Sequence, residues 1–159
     1  MTQNQPGTRV SKEPFDDLLQ EIRVLLSGSQ VLTAFLVTVP FSSGFARLSR
    51  PERWIYAVTF LTALLSLVLF ATPAAHHRLA WPIRDREQFK RFATRLVITG
   101  LIPLSVSLIF ATHFVLTEAI GKHWTTWATS LVAVVILILW WGAPLFFRLK
   151  QEDESSPRV

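Results

Sequence analysis

The chain has 159 residues, of which 50% are hydrophobic and 17% are charged, and its formal net charge is +5. Soluble domains average about 25% charged residues, and the charges here are concentrated in the two tails and in connecting segments. This distribution argues against a water-soluble four-helix bundle, because its helices would have no polar face to turn toward water. The absence of cysteine rules out disulfides and thiol chemistry.

Residues 1–14 are polar and offer almost no apolar side chains to bury, so they predict a disordered tail. No cleavable signal peptide is expected, since the first apolar run is too long and too far from the start. Apolar residues then recur at helical spacing, and they are Phe15, Leu18, Leu19, Ile22 and Leu26. They predict a short amphipathic helix that lies on the inner membrane surface and continues into the first span.

Four long apolar runs predict four transmembrane helices. They cover residues 22–41, 54–75, 96–116 and 127–147. Each run has about the 20 residues that a helix needs to cross a bilayer core roughly 30 Å thick. The predicted fold class is therefore all-α, a polytopic membrane protein with a four-helix transmembrane domain over residues 15–150, followed by a disordered tail at 151–159.

Basic residues set the predicted orientation, because cytoplasmic segments carry an excess of Lys and Arg. The N-terminal segment, the loop between the second and third spans and the C-terminal tail contain twelve of them, and the two opposite loops contain four. Both termini are therefore expected in the cytoplasm.

Polar residues of the first span lie on one face of the predicted helix. At about 100° per residue, four of them fall in one narrow stripe that is expected to point into the bundle, namely Arg23, Ser27, Gln30 and Thr38. Gln30 would lie near mid-span, where its amide needs a hydrogen-bond partner on another helix. These residues are candidate interhelical contacts, and Gln30 is interpreted as structural, with a contribution of about 1 kcal/mol. A contact with a substrate or an ion is the alternative.

Small residues share one face on each of two further spans. They are Thr59, Ala63 and Ser66 on the second span, and Gly100, Pro103 and Ser107 on the third. Small side chains let helices approach closely, so both faces are predicted to be packing surfaces.

The loop after the second span is the most basic segment, because six basic and two acidic residues give it a net charge of +4. Its candidate contacts with anionic lipid headgroups are Arg78, Arg84, Arg86, Lys90, Arg91 and Arg95. Each such residue near an anionic surface contributes about 1 kcal/mol. The alternative is that the charge only fixes topology. Nucleic acid is not an expected partner of so short a loop.

No catalytic, cofactor-binding or metal-binding motif appears in the sequence. The central stretches of the four runs contain no ionisable residue, which argues against proton or ion coupling. The chain is therefore not expected to be an enzyme, and no cofactor is expected.

The stretch from Glu21 to Leu36, followed by Pro40 and Phe41, resembles the start of a family of small four-helix membrane proteins from actinobacteria, a domain of unknown function. The likeness continues through the end of the second run, from Ala71 to Arg78. The resemblance implies four spans and a bacterial inner membrane, and it supplies no activity.

Two functions are therefore considered. The preferred one is a non-enzymatic integral membrane protein that acts by helix association, either with its own copies or within a larger membrane complex. The alternative is a small oligomeric channel or transporter for a neutral solute. The expected partners are the lipid bilayer, including anionic headgroups, and a second copy or another membrane protein.

Overall fold

The computed structural model describes residues 13–79, 86–144 and 146. Within these residues every regular element is a helix and no strand occurs. The main helices are α1 (Glu13–Thr38), α2 (Arg50–Leu79), α3 (Arg86–Ile120) and α4 (Lys122–Ile136), and α4 continues as a π-helix over Leu137–Gly142. Most of the predicted N-terminal tail and all of the predicted C-terminal tail lie outside the described residues.

Four helical stretches are long and apolar enough to cross a membrane. They are Leu18–Phe41, Arg50–His76, Glu87–Ile120 and His123–Gly142. Each of the four predicted runs overlaps one of them. By length and composition, the prediction of an all-helical chain with four potential spans is therefore confirmed.

Helix α3 is longer than a bilayer core requires. Its 35 residues, at a rise of 1.5 Å each, extend about 52 Å, whereas the core is roughly 30 Å thick. About ten residues at its start precede the predicted span at residue 96 and include Lys90, Arg91 and Arg95. This charged segment is therefore a helical extension of the third span.

The chain divides into two units, Met1–Ser107 and Leu108–Val159. In the first unit an apolar cluster joins the start of α1 to the start of α3. Its members are Leu18, Ile22, Phe89, Ala93 and Val97, and each is at most 9% exposed. In the second unit Gly121 connects α3 to α4 with a φ of 79°, a conformation that favours glycine.

Hydrogen bonds fix the connection between α1 and α2. Ser49 precedes α2, and both its backbone N–H and its hydroxyl donate to Oε2 of Glu52 at 2.8 Å. This Ser-x-x-Glu arrangement is a form of the capping box, which satisfies a donor that the helix start leaves free. The Tyr56 hydroxyl donates to the carbonyl of Leu36 at 2.8 Å and so ties α2 to the end of α1.

Candidate functional site

Buried hydroxyl groups lie on all three helices of the first unit. Each side chain is at most 7% exposed, and the set comprises Ser29, Thr33, Thr59, Ser66, Ser105 and Ser107. A hydroxyl buried among apolar groups is costly unless it makes a hydrogen bond. The partner of each hydroxyl therefore decides whether it is structural or available to a ligand.

One of these hydroxyls joins two helices. Ser107 on α3 donates to the carbonyl of Thr59 on α2 at 3.0 Å. The two predicted packing faces are both buried, since Thr59, Ala63 and Ser66 on α2 and Gly100, Pro103 and Ser107 on α3 are all buried. The prediction that these faces are packing surfaces is confirmed.

Gly100 shows how close this packing is. A Cβ atom at this position would lie 2.6 Å from Cε1 of Phe70 on α2, well inside ordinary van der Waals contact. The Phe70 side chain is 0% exposed, so any movement of its ring has to be taken up inside the protein. Any larger residue at position 100 therefore has to separate α2 from α3 or displace the ring.

Two buried hydroxyls differ from the rest. Ser29 Oγ and Thr33 Oγ1 have no hydrogen-bond partner among the described residues. The two side chains are 1% and 7% exposed, and their spacing of four residues places them on the same face of α1. Among the described residues, they are the buried side-chain polar atoms that have no hydrogen-bond partner.

The predicted polar stripe of α1 lies on another face of this helix. Its residues Arg23, Ser27, Gln30 and Thr38 are all exposed. The buried face of α1 instead carries Leu18, Ile22, Ser29, Thr33 and Leu36. The prediction that the stripe points into the bundle is therefore wrong, and its role as an interhelical contact stays a prediction for an assembly of chains.

The physical reason is that a hydroxyl can donate its hydrogen bond to a carbonyl of its own helix, whereas an amide has more groups to satisfy. Ser27 and Thr38 donate to the carbonyls of Arg23 and Phe35 in their own helix, at 2.9 and 2.7 Å. A glutamine amide has two donors and one carbonyl acceptor, so a close-packed seam of small residues cannot satisfy it. Small hydroxyl side chains fit that seam, and Gln30 lies outside it.

The predicted anionic-lipid contacts are partly described. Arg78 at the end of α2 and Arg91 and Arg95 on α3 are exposed, and Lys90 is half-buried. Arg84 lies outside the described residues, and of Arg86 only the backbone is described. Three arginines near the junction of α2 and α3 are thus accessible to a headgroup.

A ring contact holds this end of α2 beside α3. The imidazole of His76 lies 5.2 Å from the ring of Phe92 and 6.1 Å from that of Phe89, measured between centroids. Arg78 follows His76 by two residues, so its backbone lies close to the basic extension of α3. The described arginines therefore belong to one end of the first unit.

In the second unit, a histidine links two helices. Nδ1 of His113 on α3 lies 3.4 Å from Oγ1 of Thr129 on α4, and the imidazole is half-buried. Among the described residues, no group of three or more His, Cys, Asp or Glu side chains could hold a metal ion.

Sequence reasoning missed Ser29, Thr33 and Tyr56. The sequence did hold a signal for the two hydroxyls. Positions 18, 22, 29, 33 and 36 recur with the helical period of 3.6 residues and therefore share one face of α1. The bond of Tyr56 depends on the turn between α1 and α2, and no local pattern indicates it.

Comparison with known proteins gives one match. The sequence model of DUF6328, a family of unknown function, matches residues 4–144 of this chain. This match agrees with the resemblance to an uncharacterised family. Searches of the curated proteins and of the solved structures found no match.

Proposed function

We propose that this chain, which belongs to the family of unknown function DUF6328, is a non-enzymatic protein of the bacterial inner membrane that acts by helix association. Its four apolar helices cross the bilayer, and both termini face the cytoplasm. The excess of basic residues, twelve against four, supports this orientation. The start of α1 then lies at the cytoplasmic end of the first span, where Leu18 and Ile22 pack against the start of α3.

The exposure of Gln30 carries the proposal. This residue lies at the middle of the apolar stretch Leu18–Phe41 and is exposed. In hydrocarbon there is no water to satisfy an amide, and each unsatisfied polar group costs several kcal/mol. A second helix that offers a donor and an acceptor at this depth removes that cost. The amide therefore favours a helix contact over a purely lipid-facing surface.

The exposed face of α1 around Gln30 fits a second copy of the same chain. An amide both donates and accepts, so two Gln30 side chains related by a twofold axis along the membrane normal satisfy each other. Ser27 and Ala34 lie about one turn to either side, and their small side chains let two α1 helices approach. Arg23 lies near the cytoplasmic end, where its long side chain reaches the headgroups.

The lack of cysteine makes this interface directly testable, because single cysteines can be introduced without a background reaction. Ala34→Cys and Phe35→Cys place a thiol at almost the same depth but about 100° apart around α1. Under mild oxidation in native membranes, we expect a disulfide-linked dimer from Ala34→Cys and little from Phe35→Cys. Equal cross-linking of the two variants would contradict the proposed face.

Gln30→Leu separates association from the alternative function. If Gln30 joins two copies, the variant loses the dimer in a mass measurement in mild detergent. If assembly is unchanged while flux of a neutral solute through proteoliposomes is lost, the protein is instead a small oligomeric channel. Dimer formation that survives Gln30→Leu without any such flux contradicts both roles of this residue.

Anionic lipid is proposed as a second partner, at the junction of α2 and α3. Arg91 and Arg95 are exposed on the helical extension of α3, and each is expected to contribute about 1 kcal/mol near anionic headgroups. Arg91→Gln with Arg95→Gln should reduce the thermal stabilisation that anionic lipid gives over zwitterionic lipid in detergent. Arg47→Gln with Arg50→Gln is the matched control at the opposite surface and should retain it. Unchanged stabilisation by anionic lipid in the Arg91→Gln, Arg95→Gln variant would reject this contact.

A further inference from the structure

We infer that Ser29 and Thr33 form a binding site for ordered water inside the first unit, at mid-membrane depth. This site lies on the buried face of α1, whereas the proposed dimer contact lies on its exposed face. The inference therefore rests on the proposed crossing of the membrane but not on the proposed dimer. It rests on the hydrogen bonds that the other hydroxyls of this unit make.

Seven other described hydroxyls of the first unit are satisfied within their own helix. Each donates to a carbonyl three or four residues earlier, and they are Ser27, Thr38, Thr59, Thr62, Ser66, Thr72 and Ser105. Ser29 and Thr33 occupy the same kind of helix and have carbonyls at the same spacing, yet neither makes this bond. Since both side chains are buried, their hydroxyls point to the interior of the unit.

The bonding capacity of the two hydroxyls matches a neutral molecule that both donates and accepts. The hydroxyls of Ser29 and Thr33 can each still donate one bond and accept others. An anion would need more donors than these, and no charged side chain is buried among the described residues to balance an ion. Water meets the requirement with the two to four partners that buried waters have.

On the side toward the start of α1, packed side chains close the site. Below it, toward the start of α1, the apolar cluster of Leu18, Ile22 and Val97 fills the space between α1 and α3. The close contact of Phe70 with Gly100 seals α2 against α3 in the same direction. Water at Ser29 and Thr33 is therefore held locally and is not part of a path through the first unit.

Water-edited solid-state NMR of the full chain in bilayers tests the site. We expect rapid magnetisation transfer from water to the side-chain carbons of Ser29 and Thr33, although both are buried. Ala93 lies in the apolar cluster at 0% exposure and should show slow transfer. Transfer to Ser29 and Thr33 that is as slow as that to Ala93 would overturn the inference.

Thermal stability in detergent gives a second measurement. Thr33→Val keeps the shape of the side chain but removes a partner of the water, so we expect a lower Tm and slower water transfer to Ser29. Thr72→Val is the matched control, because the Thr72 hydroxyl is satisfied by the carbonyl of Val68 at 2.7 Å. If the site is dry, Thr33→Val raises Tm above that of Thr72→Val, and the inference fails.

Discussion

Gly100→Ala tests the packing of α2 against α3 most directly. The added Cβ would meet three atoms of the Phe70 ring, at 2.6 Å from Cε1, 3.0 Å from Cδ1 and 3.1 Å from Cζ. Ordinary van der Waals contact begins at 3.4 Å, so the ring or the helix has to move by nearly 1 Å. Because Phe70 is 0% exposed, that movement disturbs its neighbours as well.

The expected loss in the free energy of unfolding is the difference between two opposing effects. Overpacking of this kind costs about 1–3 kcal/mol, whereas replacing glycine by alanine inside a helix gains about 0.5–1 kcal/mol. The two ranges leave a net loss of about 0–2.5 kcal/mol, so we expect Gly100→Ala to lower the free energy of unfolding by about 1 kcal/mol. Reversible unfolding in mixed detergent micelles, followed by the fluorescence of the six tryptophans, measures this quantity.

Gly28→Ala is the matched control, since a Cβ at position 28 has no atom within 4 Å. This variant should retain or gain stability, by up to about 1 kcal/mol. Adding Phe70→Leu to Gly100→Ala should restore part of the loss, because the smaller side chain makes room for the new methyl group. Equal stability of Gly100→Ala and Gly28→Ala, or strict additivity of Phe70→Leu with Gly100→Ala, would refute the described packing.

The remaining predictions concern the α1–α2 connection and the orientation. Tyr56→Phe removes the bond to the Leu36 carbonyl and should lower the free energy of unfolding by about 1 kcal/mol, measured in the same unfolding assay; no loss would mean that this bond does not hold the helices together. Ser49→Ala removes the exposed hydroxyl bond to Glu52 but keeps the backbone bond, so it should lower the free energy of unfolding by about 0.5 kcal/mol; a loss equal to or larger than that of Tyr56→Phe would contradict this division. Ser43→Cys should react with a membrane-impermeant maleimide in intact cells, whereas a cysteine placed in the C-terminal tail should not; the reverse labelling pattern would invert the proposed topology.

The sequence predicted the helices and two of their packing faces for identifiable reasons. Run length and the lack of charge indicate a span regardless of how the spans pack. The faces around Ala63 and Gly100 were predictable because small residues at a spacing of three or four line up on one side of a helix. Close approach then follows, since such faces are the surfaces on which membrane helices pack.

The direction of the α1 stripe was not predictable by the same reasoning. In a soluble helix the polar face points to water, so periodicity alone tells inside from outside. In a membrane helix the surroundings are apolar on both sides, and a polar stripe has no preferred direction until its partners are known. Ser29 and Thr33 add to this ambiguity, because they are polar residues that lie about 60–100° around α1 from Gln30 and are buried.

Helix α1 thus carries polar groups on two faces, and their chemistry explains the division between them. Ser29 and Thr33 are small enough to lie in the seam where α1 packs within its own chain. The larger amide of Gln30 remains exposed at nearly the same depth. If only the fold of one chain mattered, an apolar residue at position 30 would avoid the cost of an amide in hydrocarbon. The exposed amide therefore supports the proposed contact with a second α1 helix, which one chain alone cannot supply.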